Sequence, residues 1–216
     1  MKVFIIGISG AVGGLLATDL TGRGDVVSGL VRRDDQRAAL ASRDVEARVG
    51  DIGIMTAESL APLLSGFDAV VYTAGSNGGS RAVTDAVDGE GVVKALEGAR
   101  LAGVKRFLLV SVLPEAWRER RLDEDQEHYF AVKKVTDVAV SVSDLDWLIL
   151  RPSMLVDRAG TGRIALGPAQ PHDEISRADV AATLAELLHD PRIRRQILEL
   201  NAGETPVATA VRASIR

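Results

Sequence analysis

The feature that most constrains this chain is a glycine-rich turn that directly follows the first apolar segment. Residues 3–6 form a short apolar run typical of a buried strand, and residues 12–20 have helical spacing. Between them lies the turn Gly7-Ile8-Ser9-Gly10-Ala11-Val12-Gly13. A strand, a tight glycine turn and a helix in this order predict the opening of a βαβ unit.

At such a turn, backbone N–H groups and the positive end of a helix can face a pyrophosphate without side chains in the way. We therefore predict a nicotinamide dinucleotide site here. Glycines that serve only backbone geometry would give the same pattern, and it is the position between strand and helix that favours the cofactor. No Gly-Lys-Ser/Thr closes the turn, which excludes a P-loop. The predicted contacts are Gly7, Ser9, Gly10, Ala11, Val12 and Gly13.

Strand-like and helix-like segments alternate along the whole chain. Strands are predicted at 3–6, 26–31, 45–49, 69–73, 105–111, 147–150 and 197–200. Helices are predicted at 12–20, 36–41, 57–64, 82–101, 129–142, 178–188 and 206–213. This alternation predicts an α/β fold, a doubly wound (Rossmann) parallel sheet forming one domain over 1–216, with small C-terminal elements on the substrate side. Ligands of such sheets bind at the carboxyl ends of the strands.

Composition excludes several classes of function. The net charge of -4 comes from mixed acids and bases, so we expect no nucleic-acid partner. With no cysteine and three scattered histidines, we expect no metal site and a cytoplasmic location. No apolar run reaches the roughly 18 residues of a membrane span, so no membrane association is predicted. The expected partner is a small-molecule substrate, and the expected state is a monomer or homodimer.

The end of the second predicted strand distinguishes the two nicotinamide dinucleotides. An acid there would bind the ribose hydroxyls of NAD, whereas a basic residue suits the 2′-phosphate of NADP. The sequence has Arg32 and Arg33, whose guanidinium groups match phosphate geometry. Asp34 and Asp35 follow slightly late for a ribose contact. We predict NADP(H), with NAD(H) as the alternative if the arginines are only a solvated surface pair.

Several further motifs occur in a characteristic order. They are Gly50-Asp51, Gly66-Phe67-Asp68-Ala69-Val70-Val71, Asp88-x-x-Gly91, Gly103-Val104-Lys105-Arg106-Phe107, Tyr129-x-x-x-Lys133 and Asp146-Trp147-Leu148-Ile149-Leu150-Arg151-Pro152. Together with the glycine turn, they resemble the short-chain dehydrogenase/reductase superfamily over nearly the whole chain. The similarity is to its atypical NAD(P)H-binding branch, which includes NmrA-like and biliverdin-reductase-B-like proteins.

The resemblance implies further cofactor contacts. Asp51 would bind the adenine amino group with Ile52 beside the ring, although a turn aspartate would look the same. A small-residue segment would pass the ribose, and the backbone after the sixth strand would approach the nicotinamide. The small-residue segment is Thr73, Ala74 and Gly75, and the backbone after the sixth strand is that of Pro152 and Ser153.

The resemblance also implies a catalytic set. Tyr129 would protonate a substrate oxygen, and Lys133, at i+4 on the same helix face, would lower the tyrosine pKa and hold the nicotinamide ribose. Ser111 at the end of the fifth strand would orient the substrate. The family often has a second serine where this chain has Val112, so Ser111 can point either at the substrate or into the sheet.

The stretch 113–127 is long and charged, and it is either a lid over the nicotinamide end or a solvated loop.

The leading hypothesis for function is an NADPH-dependent oxidoreductase acting on a small carbonyl, quinone-like or other conjugated substrate. The alternatives are an NADP(H)-binding redox sensor without turnover and an epimerase or dehydratase of the same superfamily.

Overall fold

A computed structural model describes residues 1–115 and 121–215. The strands are β1 (Lys2–Ile6), β2 (Val26–Val31), β3 (Glu46–Val49), β4 (Ala69–Tyr72), β5 (Arg106–Val110), β6 (Asp146–Pro152), β7 (Met154–Val156), β8 (Arg163–Gly167), β9 (Glu174–Ser176), β10 (Gln196–Ala202) and β11 (Thr205–Pro206). The helices are α1 (Ala11–Gly22), α2 (Asp34–Ala41), α3 (Ala57–Leu64), α4 (Arg81–Thr84), α5 (Gly91–Leu101), α6 (Glu124–Ser141), α7 (Arg177–His189) and α8 (Val207–Ala213). A π-helical segment, Asp85–Glu90, joins α4 to α5.

Nine strands form one sheet in the order β11-β8-β10-β6-β5-β4-β1-β2-β3. The chain moves outward from β1 through β2 to β3 and then returns to place β4 on the other side of β1. The strand order therefore reverses between β1 and β4, which is where doubly wound sheets bind their ligands. The register pairs Ile6 with Leu30 on one side and with Tyr72 on the other, so these three strands end together.

Helices cover both faces of the sheet, as the apolar character of the central strands requires. Alternate residues of β1 belong to different cores: Val3 and Ile5 pack with α1 and α7, whereas Phe4 and Ile6 pack with α3 and α5. The same alternation holds in β5, where Leu108 belongs to the first core and Phe107 and Leu109 belong to the second. This alternation decides which helix each strand-end side chain faces.

The α/β doubly wound architecture is confirmed, but the sheet is not wholly parallel. β8 runs antiparallel to both β10 and β11 at one edge. Antiparallel edge strands are common on otherwise parallel sheets. No strand was predicted within 153–176, where β7, β8 and β9 lie. β7 and β9 have three residues each, which are too few to show a periodic pattern.

Helix α6 begins at Glu124, five residues before the predicted start. Its first turn contains acids and no apolar residue, so periodicity gave no signal there. The Asp123 carboxylate accepts the N–H of Gln126 at 2.8 Å, and the Gln126 side chain accepts the N–H of Asp123 at 3.1 Å. This reciprocal capping box stabilises the helix start. No helix in the described ranges is long and apolar enough to cross a membrane.

Two glycines with positive φ, Gly7 and Gly24, differ in how closely other parts of the chain approach them. A Cβ at Gly7 (φ +96°) would lie 2.5 Å from the backbone nitrogen of Ala74, whereas one at Gly24 (φ +86°) would meet nothing within 4 Å. Gly24→Ala should lower the free energy of unfolding by about 1–2 kcal/mol through backbone strain alone. Gly7→Ala should lower it by at least about 3 kcal/mol. Urea unfolding measures both, and equal losses would contradict the close approach.

Candidate functional site

The glycine turn between β1 and α1 packs directly on the segment that follows β4. The N–H of Thr73 donates to the carbonyl oxygen of Ile6 at 2.8 Å, and Thr73 Oγ1 lies 3.2 Å from the same oxygen. A Cβ at Gly13 would lie 2.3 Å from the carbonyl oxygen of Gly7 and 2.8 Å from Thr73 Oγ1. Gly7 and Gly13 are therefore required by packing, whatever binds nearby.

Gly10 is less crowded than Gly7 and Gly13, because a Cβ there would make one tight contact with the backbone. It is exposed, its backbone is extended, and a Cβ at this position would meet the carbonyl oxygen of Gly7 at 3.1 Å and no other described atom beyond its chain neighbours within 4 Å. It precedes α1, whose N-terminus has no side-chain cap and no acid in its first turn. Open space before uncapped N–H groups fits a pyrophosphate. Of the other predicted contacts, Ser9 and Ala11 are exposed, and Val12 is buried in the core.

The two arginines after β2 have different surroundings. The guanidinium of Arg33 is engaged by Asp35, with Nε–Oδ1 and Nη2–Oδ2 distances of 2.9 and 3.2 Å. The Arg32 side chain is exposed and has no ion pair or hydrogen bond within the described part of the chain. Gln36 Oε1 accepts the N–H groups of both arginines and so fixes the backbone at this strand end. Arg32 is therefore the arginine available to a 2′-phosphate.

The predicted adenine contacts after β3 have structural roles of their own. Asp51 Oδ1 accepts the N–H of Gly53 at 2.9 Å, which makes Asp51 a turn aspartate, and no partner occupies its Oδ2 among the described residues. Ile52 is buried in the second core. Ala74 packs against that core. A Cβ added at Gly75 would lie 3.3 Å from a carboxylate oxygen of Asp88.

Ser111 extends the β5 ladder by one residue, since its N–H donates to the carbonyl oxygen of Leu150 at 2.8 Å. Strand alternation places its side chain on the same face as Phe107 and Leu109, which is the face covered by α5 and α6. The residue is 3% exposed, and its Oγ has no hydrogen-bond partner in the described structure. A buried hydroxyl without a partner is uncommon and fits a group that receives a ligand.

Lys133 lies on the buried face of α6, and only 2% of it is exposed. Its Nζ is 3.3 Å from the carbonyl oxygen of Val110 and 3.5 Å from Oδ1 of Asp88, which is itself 1% exposed. The structure thus brings Lys133 to the end of β5, beside Ser111, as the predicted catalytic set requires. It also adds a buried carboxylate that the predicted set lacked.

Tyr129 lies one helical turn before Lys133 and is half-buried against Phe130. Its hydroxyl makes no hydrogen bond to any described residue. Burial and the negative charge of Asp88 raise the pKa of Tyr129 above its ordinary value. Burial therefore acts against the expected lowering of the Tyr129 pKa by Lys133, and that lowering stays a prediction.

The β6 end brings Pro152 and Ser153 to the same edge of the sheet. Both are buried, and the N–H of Ser153 donates to the carbonyl oxygen of Leu200 at 2.8 Å. The N–H of Ser153 is therefore already hydrogen-bonded within the sheet. Nearby, Arg151 Nε donates to Asp137 at 2.9 Å, which ties β6 to α6 one turn beyond Lys133.

Ion pairs surround the start of α6. Arg81 binds Glu124 and Asp125 at 3.0 and 2.6 Å, and His128 lies 2.7 Å from Asp85. His128, the residue before Tyr129, is thus paired with an acid of the π-helical segment. Of the stretch 113–127, predicted as either a lid or a solvated loop, residues 116–120 lie outside the described residues.

Asp88 is a site residue that was not predicted from the sequence, where it stood only as part of the Asp88-x-x-Gly91 motif. The available signal was a carboxylate within an otherwise buried helical face, between Thr84 and Gly91, both of which are buried. A buried carboxylate needs a charged or hydrogen-bonding partner, so this pattern predicts a buried cation nearby.

An open, mostly parallel sheet with a glycine turn at the reversal of strand order defines a dinucleotide-binding protein of the Rossmann type. A family model described as NAD(P)H-binding matches residues 7–191. The chain therefore belongs to this NAD(P)H-binding family, and the resemblance to atypical short-chain dehydrogenases/reductases is confirmed.

Relatives carry both oxidoreductase and epimerase names. The chain is 34% identical over 215 residues to a Bacillus subtilis (strain 168) protein named "Uncharacterized sugar epimerase YhfK", covering 98% of this chain and 99% of that protein. The structure of the oxidoreductase ylbE from Lactococcus lactis superposes with a TM-score of 0.86 at 27% identity, covering 99% and 96% of the two chains. ChuY, an anaerobillin reductase from Escherichia coli O157:H7, superposes with a TM-score of 0.78 at 26% identity, covering 94% and 97%.

The open position at Gly10 gives a direct test of dinucleotide binding. Gly10→Ala adds one methyl group to the proposed pyrophosphate path, and we expect it to weaken NADPH binding at least about tenfold, which corresponds to about 1.4 kcal/mol. Gly14→Ala is the control, because it lies in the first turn of α1 and its Cβ would make an ordinary contact at 3.5 Å. Calorimetric titration with thermal melting measures affinity and folding together. Equal NADPH affinities in the two folded variants would argue against a phosphate at Gly10.

Proposed function

We propose that this protein is an NADPH-dependent oxidoreductase that reduces a small carbonyl, quinone-like or other conjugated substrate. The observation that supports this proposal is the approach of Lys133 Nζ to the carbonyl oxygen of Val110 at 3.3 Å, at the end of β5, where Ser111 is the next residue. The hydroxyl of Ser111 has no partner among the described residues, and the carboxyl ends of the strands are where doubly wound sheets bind their ligands. Tyr129 lies one helical turn before Lys133 on α6.

The described residues fit a bound dinucleotide. The glycine turn and the N-terminus of α1 would hold the pyrophosphate, Arg32 the 2′-phosphate, and Lys133 the nicotinamide ribose. When bound, the reduced nicotinamide supplies a hydride. Ser111 would donate a hydrogen bond to the substrate oxygen, and Tyr129 would transfer its hydroxyl proton to that oxygen. The half-buried phenol would then regain a proton from solvent.

The test of turnover is to follow NADPH absorbance while quinones, flavins, aldehydes, ketones and an anaerobillin are offered. Oxidation of NADPH with at least one of them supports the oxidoreductase. NADPH binding without turnover of any class favours the redox sensor, and transient use of bound nucleotide with a sugar substrate favours the epimerase.

Cofactor choice is expected to depend on one of the two arginines. Wild-type protein should bind NADPH about 5- to 150-fold more tightly than NADH, the scale of about 1–3 kcal/mol for a charged hydrogen bond. Arg32→Ala should abolish this preference, whereas Arg33→Ala should leave it within about twofold because Asp35 already engages that side chain. Calorimetric titration of NADPH and NADH with the wild type, Arg32→Ala and Arg33→Ala measures these preferences. A preference retained in Arg32→Ala would place the 2′-phosphate elsewhere.

The proton donor can be tested by removing one hydroxyl group. Tyr129→Phe should lower turnover by about 10²-fold or more and leave NADPH affinity unchanged, because the dinucleotide docks without the acid. Tyr72→Phe is the matched control, since that hydroxyl donates to the carbonyl oxygen of Val87 inside the core. Steady-state rates and nucleotide titrations measure both effects. Near wild-type turnover in Tyr129→Phe would show that another group supplies the proton.

A further inference from the structure

The buried pair of Asp88 and Lys133 is not explained by dinucleotide binding alone. Both residues are almost fully buried, and their charged atoms are 3.5 Å apart. A buried ion pair loses the hydration of two ions, and its mutual attraction repays that loss only in part. A neutral residue in place of Asp88 would leave the lysine charge undiminished beside the phenol. The role of the Asp88 carboxylate therefore follows from its effect on the charge of Lys133 and on the protonation of Tyr129.

The π-helical segment determines where this carboxylate lies. Asp88 belongs to Asp85–Glu90, a wider turn between α4 and α5, and such turns frequently occur at functional sites. Its Oδ2 accepts the N–H of Ser76 at 2.7 Å, while its Oδ1 faces Lys133. Asp88 thereby connects the segment after β4 with α6. A Cβ at Gly75 would already be 3.3 Å from Oδ1, so there is little space for the carboxylate to move.

The ionisable groups around Asp88 come from two packed elements. Lys133 of α6 lies 3.5 Å from it, and the Asp88 charge also acts on Tyr129 of α6 and on Tyr72 of β4. On its own segment, Asp85 is directed instead to His128. Burial and the Asp88 charge raise the pKa of both tyrosines. Lys133 is the cation paired with Asp88 in the described structure.

We propose that Asp88 is a positioning residue that holds Lys133 Nζ and opposes its charge, so that Tyr129 stays protonated and the site favours reduction. This inference rests on the proposed role of Tyr129 as proton donor. In reduction, the substrate carbon receives a hydride with its electron pair from the dinucleotide, and the substrate oxygen receives the Tyr129 proton. Oxidation of an alcohol, and epimerisation through it, need the phenolate as base, which requires a lowered tyrosine pKa.

The composition of the chain permits a direct measurement of this ionisation. The sequence contains two tyrosines, so in a Tyr72→Phe protein residue 129 is the sole tyrosine. Biosynthetic replacement by a fluorinated tyrosine, which is more acidic than tyrosine, brings its titration into a range where the protein remains folded. Fluorine NMR then reports the pKa at position 129 without cofactor or substrate.

In this background, Asp88→Asn should lower the pKa at position 129 by about one unit or more, because the amide keeps a hydrogen-bond acceptor for Ser76 but removes the negative charge. Asp85→Asn is the matched control, as it removes a charge from the same π-helical segment away from Lys133, and it should leave the pKa within about 0.3 units. An unchanged pKa in folded Asp88→Asn overturns the proposal.

Asp88→Asn leaves a buried lysine without its partner and can fail to fold. The double variant Asp88→Asn/Lys133→Met removes both charges, and its pKa at position 129 should equal or fall below that of the background. A rise would mean that Lys133 outweighs Asp88, which overturns the proposal.

The pH dependence of turnover, measured with a substrate identified from the panel, provides the functional readout. The alkaline fall of the reduction rate, where Tyr129 loses its proton, should begin at lower pH in Asp88→Asn than in Asp85→Asn. If Tyr129→Phe retains turnover, the proposed role of Tyr129 as proton donor fails, yet the fluorine titration still decides whether Asp88 controls this tyrosine.

Discussion

The close approach of two backbone segments at the centre of the sheet is the contact on which the rest of the site depends. The turn at Gly7 and the segment from Thr73 to Ala74 meet with no space for a side chain between them. This contact brings the ends of β1 and β4 together at the reversal of strand order. The N-terminus of α1 on one side and the π-helical segment on the other then border the same crevice. A methyl group at position 7 would push these two borders apart.

The central architecture was predictable because it depends on patterns that repeat. The residues of β2 and α3 were predicted with the bounds observed, since an apolar run ended by turn residues and a helical period of apolar positions are both strong local signals. Lys133 also reaches the end of β5, where its Nζ lies 3.3 Å from the carbonyl oxygen of Val110, the residue before the predicted Ser111. The spacing of Tyr129 and Lys133 on one helix, with the rule that ligands bind at strand ends, was sufficient for that.

Other features depend on contacts between distant parts of the chain and leave no local pattern. The antiparallel β8 pairs with β10 across a stretch of chain that includes α7, and nothing within Arg163–Gly167 specifies the direction of that pairing. Arg32 and Arg33 are adjacent and chemically alike, so only the structure shows that Asp35 engages one of them. The Asp88–Lys133 pair joins residues 45 positions apart. Burial and the Asp88 charge raise the pKa of Tyr129, whereas the helix spacing alone suggested a lowering by Lys133.

The mixture of names among the relatives has a physical counterpart in this site. A reductase and an epimerase can share the sheet, the glycine turn and a tyrosine–lysine pair, because the fold positions the cofactor and does not fix the reaction. What separates the two chemistries is the protonation state of the tyrosine at the start of the reaction. A lysine acting alone favours phenolate, whereas a lysine faced by a buried carboxylate leaves burial to dominate, and burial favours the neutral phenol. On the role proposed for Asp88, one carboxylate placed by a π-helical turn would direct a common scaffold toward proton donation.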